Sequence, residues 1–245
     1  MKPGTLYLIP SNLSEPFIPS QILPATVITT AIRLNHYIAE NAKTARAFLK
    51  GIGVVRPLLE ISILELNDRT PKQVLNEMIA PLVAGHDVGL VSEAGAPGVA
   101  DPGALIVAIA HQRGIPVVPL VGPSSILLGL MASGLNGQTF AFHGYLAQDK
   151  TARVAAIIAL EKESRQRNMT QLFIETPYRN EALFADLIKV LAPSTRLCLA
   201  RDLTGNRENV QTMSVGDWQK HIPAIEKLPT LFLFLAESTR PRLTR

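Results

Sequence analysis

A single cysteine, Cys198, stands in the 245 residues, so no disulfide framework can form within the chain. Flanked by Leu197 and Leu199, it reads as a strand thiol with a packing role rather than a reactive one. No apolar run reaches the ~18 uncharged residues that a membrane span needs. The longest, 124–135, is short and interrupted by Gly129. The first ten residues carry one Lys and a brief apolar stretch that stops at Pro10, without the long apolar core and small-residue cleavage site of a secretory signal. No membrane association is expected, and a cytoplasmic location is the default. His36, His86, His111, His143 and His221 are scattered, none close to a second ligand type, so no metal site is expected. There is no G-x-S-x-G elbow, no G-x-G-x-x-G and no Walker lysine.

Composition is that of a folded chain. Hydrophobic residues make up 47% and charged residues 18%, which excludes disorder outside the ends. The length fits one large domain or two small ones. The formal net charge of +4 is unevenly spread. Nine Lys/Arg and nine Asp/Glu cancel over residues 1–120, and Arg240, Arg242 and Arg245 account for most of the remaining excess. That basic tail, 238–245, is suited to general attraction by phosphate, but composition alone does not announce a nucleic-acid binder.

Strands and helices alternate. Gly4–Ile9 reads as a strand ended by Pro10, followed by a Pro-containing connection, Ser11–Pro24. A helix over Ala25–Leu34, a short strand His36–Glu40 and a helix Ala42–Lys50 come next. Leu58–Leu66 is extended. Thr70-Pro71 predicts a helix start, with a helix running to about Ala84 and closed by Gly85. The strand Val88–Ser92, a helix from Pro102 to Arg113, the strand Ile115–Leu120 and the helix Ser124–Ser133 complete a first half of alternating elements. This order implies a mostly parallel sheet covered on both faces. After Gly134 the pattern changes: an extended Thr139–Gly144, helices Thr151–Arg167 and Asn180–Leu191, and strands Gln171–Glu175, Thr195–Ala200, Asn209–Val215 and Thr230–Ala236. The fold class is therefore α/β, with two α/β domains and a cleft between them, residues 1–145 and 146–237.

Ligands of open α/β sheets bind beyond the carboxyl ends of the strands. That rule selects Pro10-Ser11, Glu40-Asn41, 92–101 and 119–125. The segment Ser92–Gly103, SEAGAPGVADPG, is longer than the two to six residues of an ordinary strand-to-helix connection. Its small residues let a ligand approach a backbone whose amides are not claimed by a helix. At 119–125, PLVGPSS, a strand runs into a helix whose capping hydroxyls face its N-terminus, a place for a carboxylate or phosphate.

These loops resemble a known family. Val88–Gly103, VGLVSEAGAPGVADPG, is similar to the ALISDAGTPGISDPG signature of the ribosomal RNA small subunit methyltransferase I family, a tetrapyrrole methylase-like group. Val117–Leu135, VVPLVGPSSILLGLMASGL, resembles its VVPLPGPSA…ALSASGL segment. GTLYLI at Gly4–Ile9, ENAKTARAFLK at Glu40–Lys50, ETPYR at Glu175–Arg179 and ARDLT at Ala200–Thr204 follow in the family's order. The resemblance implies a tetrapyrrole methylase fold, S-adenosylmethionine held in the interdomain cleft, and a homodimer. Carried over position by position, cofactor contacts fall on Pro10, Ser92, Glu93, Ala94, Gly95, Ala96, Val99, Ser124, Ser125 and Glu175.

The departures are local. Where the family has roughly ATPIGNLED, this chain has Pro10-Ser11-Asn12-Leu13-Ser14-Glu15. An acidic residue is replaced by Asn41, an arginine by Lys43, and the histidine of ESPHR by Tyr178. The extra C-terminal module of some members has no counterpart. Asn41, Lys43, Arg46 and Tyr178 are accordingly expected toward the substrate, Lys43 and Arg46 lying three residues apart on one helix and suited to phosphate. These positions imply a paralogous subgroup with a retained cofactor and a shifted target.

The leading expectation is methyl transfer to ribosomal RNA, at a cytidine 2′-hydroxyl in the small subunit. A hydroxyl nucleophile benefits from a base, and Glu40 and Glu93, both at strand ends, are the candidates. The alternatives are methylation of a tetrapyrrole or another small molecule, and a cofactor-binding paralogue that has lost transfer.

Overall fold

The computed structural model describes residues 2–237; the basic tail with Arg240, Arg242 and Arg245 lies outside them. The chain divides between Ser124 and Ser125 into two compact units.

The first unit carries β1 (Leu6–Ile9), α1 (Pro19–Ile22), α2 (Ala25–Arg33), β2 (His36–Ala39), α3 (Ala42–Gly51), β3 (Ser62–Glu65), α4 (Leu75–Met78), α5 (Ala80–Val83), β4 (Val88–Val91), α6 (Gly103–Gln112) and β5 (Val117–Pro119). Its sheet runs β3-β2-β4-β1-β5 and every pairing is parallel. All five carboxyl ends therefore point to one edge. β4 is buried at all four positions, because helices cover a parallel sheet on both faces. One cluster, around Leu6, Ile38, Leu82, Val88 and Ile106, fills one side. Another, around Ile9, Tyr37, Phe48, Leu49 and Val91, fills the other.

The helix expected over 71–84 is broken. A 3-10 turn at Lys72–Val74 leads into α4 and α5. Pro81 has no N–H to donate back to the preceding turn, so the ladder is interrupted near Ile79. Thr70 does not cap it either. Its Oγ1 accepts from the Asn67 N–H at 3.0 Å and donates to the Glu65 carbonyl at 3.4 Å, closing a turn instead.

The second unit contains α7 (Ser125–Ser133), β6 (Phe140–Tyr145), α8 (Lys150–Arg167), β7 (Thr170–Glu175), α9 (Asn180–Val190), β8 (Arg196–Arg201), β9 (Asn209–Ser214), α10 (Val215–Lys220) and β10 (Thr230–Leu235). Its sheet order is β6-β7-β10-β8-β9. Only β6 and β7 pair in parallel; the other neighbours are antiparallel. β10 is buried throughout. Phe173, Phe184, Trp218, Phe232 and Phe234 dominate this core. The buried Arg153 guanidinium joins α8 to α9 through Asp186 at 2.6 Å and to the Gln148 carbonyl at 2.8 Å. Cys198 is fully buried, and burial pushes its thiol up to about 11, in keeping with a packing role.

The division falls earlier than the sequence pattern indicates, after Ser124 rather than near Leu146. The reason is α7. A Cβ on its Gly129 would stand 2.5 Å from Leu231 of β10, so the bare glycine lets the helix lie directly on the second sheet. The Thr212 hydroxyl of β9 donates to the Ser133 carbonyl at 2.7 Å, fixing the helix end there. The strand expected over Asn209–Val215 ends at Ser214, and the short α10 that follows has no counterpart in the sequence pattern; Ser214 caps it by accepting from the Asp217 N–H at 3.1 Å.

Gly89 occupies the middle of the first sheet. It pairs with both Tyr7 and Tyr37, and a Cβ there would meet the Tyr37 ring and Ile9 at 2.7 Å. Replacement of Gly89 by Ala should cost about 1–3 kcal/mol by overpacking. Urea denaturation reads this directly, and an unchanged midpoint would refute the close approach.

Candidate functional site

Because β1 lies between β4 and β5, the segments that leave these three strands meet. The Ser11 N–H donates to the Gly95 carbonyl at 3.0 Å, and the Ser92 hydroxyl donates to the same oxygen at 3.0 Å. One acceptor thus ties the long loop after β4 to the end of β1. Gly95 has φ +72°, and a Cβ would sit 3.0 Å from Leu13 and 3.4 Å from the Pro123 carbonyl. Its glycine is needed for backbone conformation as well as for close approach. On the neighbouring side, a Cβ at Gly122 would collide with the Pro10 ring at 2.4 Å.

Asp101 organises the far half of the loop. Its Oδ2 accepts from the Gly98 N–H at 2.8 Å and its Oδ1 from the Gly103 N–H at 2.6 Å. Gly98 and Ala100 have φ +80° and +59°, so this clamp holds a bend that the backbone would otherwise leave. Among the described residues, the Ala94 and Ala96 amides have no intrachain acceptor. Val99 is exposed.

β2 lies beside β4, which brings Glu40 to the start of that loop. Glu40 Oε1 accepts from the Glu93 N–H at 3.2 Å. Burial raises the Glu40 carboxyl above its ordinary range. The hydrogen bond from the Glu93 N–H opposes this, and Asp101, Glu93 and Asp68 add to it. Burial likewise raises Asp101, against the two amides it binds. Glu93 Oε1 accepts from the Thr44 hydroxyl of α3.

A cavity of about 400 Å³ opens at this edge, walled by residues of 11–17, 39–51 and 91–93. Ser11, Ser92 and Glu93 line it together with Thr44 and Phe48 of α3. The Ser11 side chain is 2% exposed and its hydroxyl has no partner among the described residues.

The expected substrate positions fall in both units, Asn41, Lys43 and Arg46 in the first and Tyr178 in the second. Asn41 is committed to capping α3, its Oδ1 accepting from the Lys43 N–H at 2.8 Å and the Thr44 N–H at 3.4 Å. Asp and Asn are near-equivalent caps, so this departure from the family pattern needs no change of target. Lys43 is exposed. Arg46 folds back, its Nη1 donating to the Ala42 carbonyl at 3.4 Å while its Nε is buried without a partner. Tyr178 belongs to the second unit, 81% exposed, with Lys227 Nζ 5.1 Å from its ring centre. Glu175, also in the second unit at the end of β7, is 5% exposed. Its Oε1 accepts from Arg179 Nε at 2.9 Å and Nη2 at 2.5 Å, and from the Thr176 N–H at 2.6 Å. Ser11 and Asp101 fall within the strand-end segments that the sequence selects, but without a role of their own; Thr44 was not selected. Asp101 carried a further signal, an Asp-Pro-Gly at a helix start.

No family model matches the chain. It is similar to ribosomal RNA small subunit methyltransferase I from several bacteria. The Xylella fastidiosa protein is 32% identical over 223 residues, 90% of this chain and 76% of that one. The Escherichia coli O157:H7 protein is 30% identical over 214 residues, 87% of this chain and 70% of that one. The chain belongs to the ribosomal RNA small subunit methyltransferase I family. The Vibrio cholerae member is 35% identical over 152 residues, and the match spans about half, 51%, of its length.

Two solved structures share the fold. The methyltransferase CobJ superposes with a TM-score of 0.62 at 15% identity, covering 98% of this chain and 97% of that one. The uroporphyrin III C-methyl transferase from Thermus thermophilus gives 0.58 at 14% identity, covering 95% and 97%. The chain therefore has the tetrapyrrole methylase fold, as its family resemblance implied. Among the described residues no helix is long and apolar enough to cross a membrane, and no three His, Cys, Asp or Glu side chains gather to hold a metal ion.

The raised Glu40 carboxyl makes stability depend on pH with a definite sign. A folded-state pKa above the unfolded value means that the native state binds more protons, so stability falls as pH rises through and above the ordinary carboxylate range. In Glu40→Gln the amide oxygen can still accept from Glu93 but carries no charge. The variant should gain thermal stability relative to the parent between pH 4 and 7, with the difference vanishing in acid. A difference independent of pH would show that Glu40 is not held in this way.

Proposed function

We propose that the chain transfers the methyl group of S-adenosylmethionine to small-subunit ribosomal RNA, at the 2′-hydroxyl of a cytidine ribose. The observation that carries this reading is the loop Ser92–Gly103. It is pinned to β1 by the Gly95 carbonyl and bent by Asp101, and it leaves the Ala94 and Ala96 amides without intrachain acceptors. Such donors fit the carboxylate of an amino-acid-bearing cofactor, and the missing Cβ of Gly95 is room a ligand can use. Pro10, Ser92, Glu93, Val99, Ser124, Ser125 and Glu175 complete the cofactor set by family resemblance.

When bound, the cofactor supplies an electrophilic methyl group on a sulfonium. The chain supplies position and a proton acceptor. Fixing both reactants contributes roughly 7–11 kcal/mol of the barrier in favourable cases. Glu93 Oε2 has no partner among the described residues, which suits it to take the proton of a ribose hydroxyl. Glu40 steadies it by receiving its backbone N–H. Lys43, on the exposed first turn of α3, suits an RNA phosphate. The tetrapyrrole reading is disfavoured by the cavity, whose lining includes Glu15 and Glu93 and no Lys, Arg or His. Two carboxylates without a cation repel an acidic macrocycle. The same retained carboxylates count against a paralogue without transfer.

Calorimetric titration with S-adenosylhomocysteine should show one site per chain. Incubation with labelled cofactor and small subunits from cells lacking the protein should then label a cytidine ribose. Absence of any heat or thermal shift removes the cofactor assignment; binding with no label on the RNA removes the substrate.

A homodimer, implied by the family, is also proposed, as is a cytoplasmic location. Leu127 and Met131 stand one turn apart on α7, 54% and 78% exposed, and supply apolar surface for a second copy. Sedimentation at micromolar concentration should give a dimer, and Met131→Asp should shift it toward monomer.

A further inference from the structure

The cavity walled by α3 lies to one side of the cofactor loop. Gly95 and Pro123 belong to the crevice between β1 and β5, whereas the cavity sits over β1, β4 and β2. The two share only Ser92 and Glu93 from the loop. At about 400 Å³ it falls within the range of small-ligand pockets.

Its chemistry selects the occupant. Phe17 and Phe48 are stacked with ring centres 5.6 Å apart and planes at 19°, and both line the cavity, giving it an aromatic wall for a flat ring. The polar groups are acceptor-rich. Asn12 turns its Nδ2 to Glu15 Oε1 at 3.1 Å and to the Ser14 carbonyl at 3.4 Å. Two acceptors on that side fix the amide's orientation and leave its oxygen without a partner among the described residues. Glu93 Oε2 is likewise free. The buried Ser11 hydroxyl is unpaired. No Lys, Arg or His lines the space, so an anionic group is poorly received and a donor-bearing neutral ring is well received.

We infer that this cavity takes the acceptor nucleobase, everted from the RNA, and that the Asn12 amide oxygen reads its exocyclic amine, Glu93 being left to the ribose. The inference rests on the RNA methyltransferase reading above. A carboxylate or amide oxygen accepting from a base amine is a pairing that geometry favours, and an enzyme acting on a nucleotide commonly draws it out of the stack. With the ring between the phenylalanine wall and Asn12, its sugar is left at the Ser92-Glu93 boundary with the cofactor loop.

The test titrates cytidine, adenosine and uridine into the full chain saturated with S-adenosylhomocysteine, following the Phe17 and Phe48 ring protons by NMR. Cytidine and adenosine should bind about tenfold more tightly than uridine, without displacing S-adenosylhomocysteine. Asn12→Leu should erase that preference, and Ala47→Phe, which fills the cavity, should abolish nucleoside binding; both should retain S-adenosylhomocysteine affinity and a cooperative melt. Should one variant fail to fold, the other carries the test. The inference is overturned if no nucleoside binds at millimolar concentration, if uridine binds as well as the amino bases, if nucleosides compete with S-adenosylhomocysteine, or if folded Ala47→Phe binds them normally. A chain that binds nucleosides in this order but not S-adenosylhomocysteine would instead defeat the methyltransferase reading and leave the pocket standing.

Discussion

The Gly95 carbonyl is the interaction on which the site depends. It receives the Ser11 N–H and the Ser92 hydroxyl together, so a single oxygen holds the end of β1 and both limbs of the turn after β4. The parallel sheet makes this possible. With β1 between β4 and β5, three chain segments leave the sheet at adjacent points and in the same direction. Each then needs partners for backbone groups that no strand or helix satisfies. The loop meets part of that need internally, through Gly95 and Asp101, and leaves a few amides turned to whatever binds there.

The electrostatics of the first unit follow from the same arrangement. Placing β2 beside β4 sets Glu40 against the Glu93 backbone and draws Thr44 to the Glu93 carboxylate. Carboxylates gathered at one sheet edge without a cation among the cavity residues make a space that prefers neutral, hydrogen-donating rings. A basic side chain for RNA phosphate has to come from outside it, and Lys43 on the exposed flank of α3 is placed that way.

Much of the fold was legible in the sequence because periodicity and punctuation act locally. Pro10 ends β1, Gly114 follows α6, and the fully apolar Val88–Val91 reads as a buried strand. Strand order was not legible: nothing local distinguishes β1 as the neighbour of both β4 and β5. The unit boundary was missed for a related reason. Gly129 looks like an interruption in an apolar helix, and its use, close contact with Leu231, exists only once β10 has arrived from the far end of the chain. At the site, the glycine-rich loop and the two glutamates stood out by composition and by position at strand ends. Thr44 did not, and Ser11 stood out only by its place at a strand end, since a hydroxyl acquires meaning from its partners or from their absence. The cap at Asn41 was not legible either: that its side chain accepts from the Lys43 and Thr44 amides appears only once α3 begins there.

The meeting of Pro10 and Gly122 reaches beyond this one sequence. With only 2.4 Å between Pro10 Cβ and the place a Cβ would occupy at 122, the constraint runs one way. Any residue at 10 that carries a Cβ holds position 122 to glycine, whereas position 10 can change while that glycine stays. Though far apart along the chain, the two are linked in a fixed order: the segment after β1 can be remodelled first, and the segment after β5 can gain a side chain only once the backbone at 10 has given way.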